Sequence, residues 1–435
     1  MTHWGHYTHE VDYWLETDLA PLYTMTKLDE IKVAGSIRLG VLMKAPIYQV
    51  TWIGRALRIL TDDETFTREV VKIIDEEVLE SLKRLKKAGG RDDGITDSEM
   101  KDLMQWNILR KLDKGERYTE VCQLFKVPKG PATSRLIMNA KRANARANKS
   151  PDFTLGTCEE VRRRMQELGP SWFVSGDLRH YFYQIRICTA FQKFLTVLGK
   201  TKSHHGITEA EAYAVRVLPM GHSWSPYLAQ SVCWAIVMAN AQPGQRTTGG
   251  DPREAGPYSV EIPDGDAVPD FINLRRKDGS LAGFITVYYD NVLVVCQDRD
   301  AAEWWRAKLY DNGKLSGAQW KRPEKGPAIA GPDRHVAYIG VEYAWVGDTL
   351  TWRWPEQNRE DFEKETHDPL FTDEWTPRMI YSWLGLRMWV ARIAEIPFFK
   401  IGEEMSLIGQ IQRMASETSW DTPLTEDEFK ELRAS

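Results

Sequence analysis

Cysteine is scarce in this chain, and its few cysteines form no recognisable pair or cluster. Five occur in 435 residues, the number is odd, and no C-x-x-C motif is present. The five are Cys122, Cys158, Cys188, Cys233 and Cys296. This pattern argues against a disulfide framework and against a zinc site, and it indicates a reducing compartment.

Long hydrophobic runs are missing as well. The first fourteen residues, MTHWGHYTHEVDYW, are polar and contain no apolar segment of the kind found in signal peptides. No apolar run approaches the roughly 20 residues that a membrane-spanning helix needs. We therefore expect an intracellular protein, in the cytoplasm or the nucleus, that is neither secreted nor inserted in a membrane.

An overall positive charge is also absent, since 57 Lys and Arg face 62 Asp and Glu for a net charge of −5. Any nucleic-acid site must therefore be a local basic patch. With 42% hydrophobic and 27% charged residues, the composition is that of an ordinary globular protein. The length leaves room for roughly two to four domains.

Helical and strand patterns are mixed along the chain. Predicted helices cover 62–90, with Asp62 or Asp63 and Gly89 as caps, 98–113, a stretch after the capping-box pair Thr157 and Glu160, 225–239 and 300–315. Predicted strands cover 119–127, 134–139, 172–178, 214–219 and a strand pair within 335–354. The segment 241–282 is rich in Gly, Pro and Asp and predicts a surface insertion, whereas residues from 357 onward look helical. The order of elements predicts an α+β fold.

The segment FITVYYDNVLVV, residues 284–295, predicts a hairpin with an Asp at its tip. Asp290 and Asn291 suit a tight two-residue turn, so a plain hairpin is one interpretation. The other is that the hairpin holds the Asp290 carboxylate at a metal site. A second carboxylate, Asp177, follows the apolar residues WFV. Carboxylates on neighbouring strands could bind Mg²⁺ together with substrate phosphates.

A third segment, LPMGHSWSPYLAQ at 218–230, combines a glycine turn with a helix opened by Pro226. Gly221 would let the backbone approach a ligand closely, so the segment could support one face of a nucleotide site. An ordinary strand-to-helix connection is the alternative.

These three segments, in this order, resemble the palm motifs of reverse transcriptases, and the likeness is closest to retroviruses and gypsy-type LTR retrotransposons. The matching residues are Asp177, Leu178, Phe182, Gln184 and Ile185 in the first motif; Leu218, Pro219, Gly221, Ser225, Pro226 and Gln230 in the second; and Tyr288, Tyr289, Asp290 and Asn291 in the third.

The resemblance extends beyond the palm, over about 116–435. The segment 127–150 resembles the fingers hairpin, with Lys129 and Arg135 at its basic positions and Asn144 at its close. Seven Lys or Arg and no acidic residue occur between positions 125 and 150, which suits phosphate binding; a solvated charged face is the alternative. Downstream, VAYIGVEY with Gly340 resembles the primer grip, and 376–386 resembles the start of the thumb.

The resemblance implies a right-hand polymerase core: an antiparallel palm sheet with packed helices, β-hairpin fingers and a helical thumb. The implied divisions are an N-terminal extension and helical start of the fingers at 1–115, fingers at 116–176, palm at 177–355, and thumb with the start of a connection at 356–435. Within the palm, 189–214 would return to the fingers, and 241–282 would be an insertion.

The activity implied by the resemblance is RNA-directed DNA synthesis, in which a primer 3′-hydroxyl attacks a deoxynucleoside triphosphate on an RNA or DNA template-primer. Asp177, Asp290 and Asn291 would be the catalytic residues, and Asp177, Asp290 and the Leu178 carbonyl would hold two Mg²⁺ or Mn²⁺ ions. The implied nucleotide-binding residues are Lys129, Arg135, Phe182, Pro219, Met220 and Gly221. The implied template-primer contacts are Gln230, Tyr288 and Gly340.

The sequence departs from the family pattern at several points. Asn291 replaces the second Asp of the hairpin motif, which should weaken metal binding. The spacing from Asp177 to Asp290 is longer than usual, and the excess is the 241–282 segment. We find no protease motif, zinc knuckle, RNase H or integrase segment, so we expect a polymerase unit from a retroelement polyprotein or a free-standing relic.

Two other functions are compatible with parts of this pattern. A domesticated, catalytically weakened nucleic-acid-binding or scaffold protein would account for Asn291 and the missing nuclease. An RNA-dependent RNA polymerase shares the palm chemistry, but it normally carries a Gly-Asp-Asp box, which is absent here, and Phe182 favours deoxynucleotides.

Overall fold

The computed structural model describes residues 27–85, 95–128, 133–204, 207–239, 254–263, 265–323, 326–356, 376–394, 396, 402–417, 423–425 and 427. The chain divides into two compact units. The first comprises Met1–Gly156 and Trp172–Asp333, and the second comprises Thr157–Ser171 and Arg334–Ser435. The fold is mixed α and β. The finer division into fingers, palm and thumb stays a prediction.

The first unit contains two sheets and most of the helices. Its strands are β1 Lys27–Leu28, β2 Leu109–Lys111, β3 Val121–Pro128, β4 Thr133–Asn139, β5 Trp172–Asp177, β6 Thr196–His204, β7 Ile207–Val215, β8 Glu254–Ala255, β9 Tyr258–Glu261, β10 Phe271–Arg275, β11 Leu281–Tyr288, β12 Asn291–Cys296 and β13 Ile329–Asp333. Its helices are α1 Leu39–Leu42, a 3₁₀ turn Pro46–Gln49, α2 Thr51–Thr61, α3 Asp63–Val70, α4 Glu76–Arg84, α5 Asp97–Gln105, α6 Lys141–Ala145, α8 Tyr181–Gln184, α9 Thr189–Phe194, α10 Ser225–Met238 and α11 Arg299–Ser316.

The second unit is smaller. Its elements are α7 Cys158–Leu168, β14 His335–Tyr338, β15 Val341–Val346, β16 Thr349–Arg353, α12 Pro377–Ile393 and α13 Gly402–Glu417. Strands β14 to β16 form an antiparallel meander, where a single strand pair was predicted. Helix α7 begins with the predicted capping box, because Thr157 and Glu160 each accept a hydrogen bond from the other's backbone N–H.

The seven-stranded sheet of the first unit runs β13-β5-β12-β11-β10-β9-β8 and is antiparallel throughout. Helices α10 and α11 pack against it. Helix α10 is apolar on every side and almost every residue in it is buried, which is the pattern expected of a core helix. The six-stranded sheet runs β1-β4-β3-β6-β7-β2 and contains both parallel and antiparallel pairs.

The prediction of a surface insertion at 241–282 is wrong for its described part. Strands β8 to β10 extend the seven-stranded sheet, and Phe271, Ile272 and Leu274 are buried. Strand β10 pairs along its whole length with β11, the first arm of the predicted hairpin. The Gly- and Asp-rich turns between these short strands dominate the composition of the segment, so its apolar strand residues did not produce a recognisable strand pattern.

The prediction of one helix over 62–90 is also wrong, because the segment forms α3 and α4 with an extended break between them. Val71 bridges Ala147, and the Lys72 amide donates to the Arg146 carbonyl at 2.8 Å. Asp62 and Asp75 each cap a helix, so the sequence contains two start signals rather than one. The predicted cap Gly89 lies outside the described residues.

Two further boundaries differ from expectation. Helix α5 ends at Gln105 rather than 113, because Asn107 adopts a left-handed backbone (φ 65°) and the chain then enters β2. Strands β6 and β7 form a long hairpin that the sequence pattern did not indicate, and the predicted strand 214–219 supplies only its last two residues.

Within the described part of the chain, no helix combines the length and the apolar character needed to cross a membrane. All five cysteines are buried free thiols.

Candidate active site

The hairpin β11–β12 places Asp290 in its turn. Tyr288 pairs with Asn291, so the two turn residues are Tyr289 and Asp290. The predicted Asp-Asn turn is therefore displaced by one residue, and Asn291 is the first residue of β12. Tyr289 adopts a left-handed backbone (φ 53°), which is uncommon for an aromatic residue and needs support from its surroundings.

That support comes from Gln230 on α10. Its side-chain oxygen accepts a hydrogen bond from the Tyr289 amide at 2.9 Å, and its Nε2 donates to the Val287 carbonyl at 2.8 Å. Gln230 is completely buried. In this structure its side chain therefore holds the turn, rather than presenting a surface to a template-primer as predicted.

Asp177 lies beside Asp290 because β5 and β12 are neighbouring strands. Asp177 is the register partner of Asn291, and the Leu178 amide donates to the Asp290 carbonyl at 2.9 Å. The structure thus brings together the two carboxylates that the sequence motifs singled out, although they are far apart along the chain.

The two carboxylates oppose each other electrostatically. Burial, followed by the adjacent Asp177 carboxyl, raises the pKa of Asp290 to about 7. Lys321 acts in the opposite direction, and its Nζ lies 3.0 Å from Asp177 Oδ2. The Asn291 amide donates to Asp290 Oδ1 at 3.2 Å, so Asn291 supports the carboxylate without adding charge.

The donor set fits a divalent cation of the magnesium type. Among the residues described, no group of three or more His, Cys, Asp or Glu gathers into a metal cluster. Mg²⁺, however, commonly binds through one or two carboxylates and completes its coordination with water and substrate phosphates. Asp177 and Asp290 supply that pair, and the ammonium of Lys321 already occupies a cation position on Asp177.

The carboxylates open onto a cavity of about 1360 Å³ in the first unit. Five further predicted residues line this cavity: Arg135, Leu178, Phe182, Met220 and Gly221. A space of this size is large enough for a nucleotide and part of a second ligand.

Gly221 is held against strand β4 rather than against open space. Its φ is 115°, and a Cβ there would lie 2.0 Å from the Met138 carbonyl oxygen. The Met138 amide donates to the Met220 carbonyl at 3.0 Å. The protein's own backbone therefore makes the close approach that glycine permits at this position, and the approach of a ligand to Gly221 stays a prediction.

Asn144 connects the segment that resembles the fingers hairpin to this glycine loop. Its Nδ2 donates to the Gly221 carbonyl at 3.1 Å, and its Oδ1 accepts from the Ser223 amide at 2.9 Å. These hydrogen bonds join two motifs that are separate in sequence, beside the cavity-lining residue Gly221.

Phe182 lines the cavity together with the two carboxylates. Its ring centroid lies 6.0 Å from that of Tyr289, the residue beside Asp290 in the turn. Tyr181, the preceding residue, is buried and donates to the Ala229 carbonyl at 2.7 Å, which fixes the short helix α8. Phe182 is half-buried and presents a rigid aromatic surface to any ligand in the cavity.

Three of the seven basic residues in the predicted basic stretch pair with buried carboxylates. Lys126 is buried and pairs with Glu99 at 3.1 Å. Arg142 and Arg146 both pair with the buried Glu120, at 3.2 and 3.0 Å. Arg135 remains exposed and reaches the cavity. Lys126, Arg142 and Arg146 are thus engaged by carboxylates of the protein itself, and phosphate binding by the rest of the stretch stays a prediction.

The remaining predicted residues are Lys129, Pro219, Tyr288 and Gly340. Lys129 lies outside the described residues. Pro219 is buried, and Tyr288 is half-buried at the end of β11. Gly340 belongs to the second unit, in the turn between β14 and β15, where its nearest neighbour is Trp389.

The sequence motifs missed Lys321 and Asp29, which also line the cavity. Lys321 follows α11 in a segment that carries no periodic pattern. Asp29 lies in a region where the sequence pattern predicts no clear elements, and its amide donates to the Ser134 carbonyl on β4, which places Asp29 beside the cavity. Neither residue had a local signal that would have identified it.

No protein-family model matches the chain, and no curated protein matches it. Among solved structures, the foamy viral protease-reverse transcriptase dRH in complex with double-stranded DNA is similar, with a TM-score of 0.43 and 12% identity. The alignment covers 91% of this chain and 58% of that one. The foamy viral protease-reverse transcriptase in complex with an RNA/DNA hybrid is also similar, with a TM-score of 0.45 and 14% identity over 84% of this chain and 40% of that one. This chain thus spans well under two thirds of both, and TM-scores below 0.5 carry no conclusion about function.

Proposed function

We propose that this protein is an RNA-directed DNA polymerase, which extends a primer 3′-hydroxyl with deoxynucleoside triphosphates on a nucleic-acid template. The observation that carries the proposal is the adjacency of Asp177 and Asp290 at the mouth of a cavity that Arg135 and Phe182 also line. We propose an origin in a retroelement polyprotein, in keeping with the sequence motifs.

In this mechanism the carboxylates of Asp177 and Asp290 would hold two Mg²⁺ or Mn²⁺ ions. Such ions, when bound, lower the pKa of the attacking hydroxyl and neutralise charge that develops in phosphoryl transfer. Arg135, which is exposed and lines the cavity, would bind the phosphates of the incoming nucleotide. Phe182 stacks beneath its sugar, and the buried Gln230 keeps the Asp290 turn in place.

A second candidate function is nucleic-acid binding without catalysis. Asn291 favours it, because an amide replaces a carboxylate directly beside Asp290. Such a protein would bind a primer–template duplex in a salt-sensitive manner but incorporate no nucleotide.

Primer extension separates the two candidates. The assay uses oligo(dT) annealed to poly(rA), with dTTP and either Mg²⁺ or Mn²⁺. We expect extension by the wild-type protein. Duplex binding without extension under both metals would support the non-catalytic function instead.

Replacing Phe182 by Ala should weaken discrimination against ribonucleotides. The smaller side chain leaves room for a 2′-hydroxyl, so we expect the ratio of kcat/KM for dTTP over UTP to fall by at least about tenfold. A suitable control is Phe153→Ala, since Phe153 packs against Tyr227 within the same unit and does not line the cavity. An unchanged ratio in the Phe182 variant would show that another residue selects the sugar.

Replacing Asn291 by Asp should raise the affinity of the site for Mg²⁺ while leaving the fold intact. A third carboxylate beside Asp177 and Asp290 raises the local negative charge, so half-maximal extension should need about three- to tenfold less Mg²⁺. The same charge should slightly destabilise the metal-free protein. An unaltered Mg²⁺ titration would contradict a role for this position in the metal site.

A further inference from the structure

Lys321 is held at the carboxylate pair by its backbone as well as by its side chain. Its amide donates to the Asp177 carbonyl at 2.7 Å, and the Arg179 amide donates to the Gln319 carbonyl at 2.9 Å. The segment 319–321 thus runs alongside the end of β5 with fixed register. The position of Lys321 is therefore a property of the fold.

Gln184, one of the motif residues, fixes this segment from inside the protein. Its side chain is completely buried, accepts from the Gln319 amide at 2.8 Å and donates to the Gln319 carbonyl at 2.9 Å. Its Nε2 also donates to the Arg179 carbonyl at 2.6 Å. One buried amide therefore aligns the Lys321 segment with the chain that follows Asp177.

The Lys321 side chain is largely open to water. It is 61% exposed, whereas the Asp177 side chain that it contacts is 33% exposed. An ammonium on a flexible stem can turn into water at small cost, because exposed ion pairs typically contribute no more than about 1 kcal/mol. The hydrogen-bonded backbone keeps Lys321 beside Asp177, and the exposed ammonium can leave the carboxylate when another cation binds.

We propose that Lys321 is a built-in counterion of Asp177, which a divalent cation displaces when it binds the carboxylate pair. This inference rests on the proposed function, since it concerns the same metal site. Lys321 Nζ lies within 3.0 Å of Asp177 Oδ2, so the ammonium and a cation that binds this oxygen compete for it. Lys321 keeps the two carboxylates compatible with the fold when metal is absent, and it raises the metal concentration at which the site fills.

Mn²⁺ binding without nucleotide or nucleic acid tests this competition directly. Free Mn²⁺ is measured by electron paramagnetic resonance at pH 8.5 and low ionic strength. The proteins compared are the wild type, Asp177→Asn and three lysine variants. We expect Lys321→Gln to bind Mn²⁺ about three- to tenfold more tightly. Lys321→Arg keeps the charge, so its affinity should stay within about twofold of the wild type. The control is Lys314→Gln, which removes a lysine from another part of the cavity wall and should also change the affinity less than twofold.

The melting temperature, measured with and without Mn²⁺, is a second readout, which shows whether the variant has lost stability. Without metal, Lys321→Gln should melt at a lower temperature than the wild type, and added Mn²⁺ should raise its melting temperature by more. If Lys321→Gln binds Mn²⁺ no more tightly than the wild type, or if Lys314→Gln tightens binding equally, the competition does not exist at Asp177.

The outcome also distinguishes this inference from the proposed function. Mn²⁺ binding that is lost in Asp177→Asn but unaffected by Lys321→Gln overturns only the counterion. Mn²⁺ binding that survives Asp177→Asn unchanged overturns the metal site itself.

Discussion

Replacing Asp290 by Asn is expected to reduce primer extension by at least about 1000-fold while leaving the protein as stable as the wild type or more stable. A loss of this size corresponds to about 4 kcal/mol of transition-state stabilisation, which is the scale of a metal-held charge contact. The variant keeps the shape of the turn and the hydrogen bonds of its backbone, so the loss is chemical rather than structural.

The gain in stability follows from the pKa of Asp290. Burial and the adjacent Asp177 raise that pKa to about 7, above its value in an unfolded chain, so ionisation opposes folding at higher pH. At pH 8.5 the wild type therefore bears a penalty that an uncharged Asn does not. We therefore expect the free energy of unfolding of the variant to exceed that of the wild type at pH 8.5 in the absence of metal.

The measurement pairs extension kinetics with urea denaturation at pH 8.5. Asp278→Asn serves as the control, because Asp278 lies in the turn between β10 and β11 of the same sheet, where its carboxylate accepts hydrogen bonds from Ser280. The control should retain extension and lose a little stability. Extension by the Asp290 variant within tenfold of the wild type would exclude the proposed chemistry.

The sequence predicted well those elements whose signals are local. The apolar run from Ser225 to Met238 with proline in its first turn could only be a buried helix, and the Thr157–Glu160 capping box marked a helix start. The hairpin arms around Asp290 alternated clearly enough to be recognised. In each case a few neighbouring residues determine the element.

Elements that depend on distant partners were not predicted. The turn at Tyr289 and Asp290 differs from the expected Asp-Asn turn because Gln230, on another helix, bonds the Tyr289 amide. The basic stretch predicts a phosphate-binding surface because its two acidic partners lie outside it in the sequence. Glu120 lies just before the stretch, and Glu99 lies farther upstream. Tertiary contacts of this kind override local propensity, and spacing along the chain does not reveal them.

The adjacency of Asp177 and Asp290 was predicted from the order of the motifs, since no spacing rule joins residues so far apart. The structure supplies the missing link, which is the pairing of β5 with β12. Lys321 shows the limit of that reasoning. It reaches the same carboxylate through a segment fixed by Gln184, and its own sequence surroundings carry no functional pattern.

Replacing Gly221 by Ala is expected to destabilise the first unit strongly. The new methyl group would lie 2.0 Å from the Met138 carbonyl oxygen, and the residue would keep a positive φ of 115°. Overpacking against backbone costs about 1–3 kcal/mol, and the backbone conformation adds about 1–2 kcal/mol. We therefore expect the free energy of unfolding to fall by about 2–5 kcal/mol.

Gly279→Ala separates the two causes. Gly279 also has a positive φ, 85°, but nothing lies within 4 Å of the position that its Cβ would take. Urea denaturation should show a loss of about 1–2 kcal/mol for this control and a clearly larger loss for Gly221→Ala. Equal losses would mean that the contact with Met138 relaxes freely.

The Gly221→Ala substitution should also change the shape of the cavity. Relieving the clash moves the Met220–Gly221 loop away from β4, where Met220 accepts from the Met138 amide and Asn144 donates to the Gly221 carbonyl. Both loop residues line the cavity, so the KM for dTTP should rise in any Gly221→Ala protein that remains folded, whereas Gly279→Ala should leave it unchanged. A folded Gly221 variant with wild-type KM would show that this wall does not contact the nucleotide.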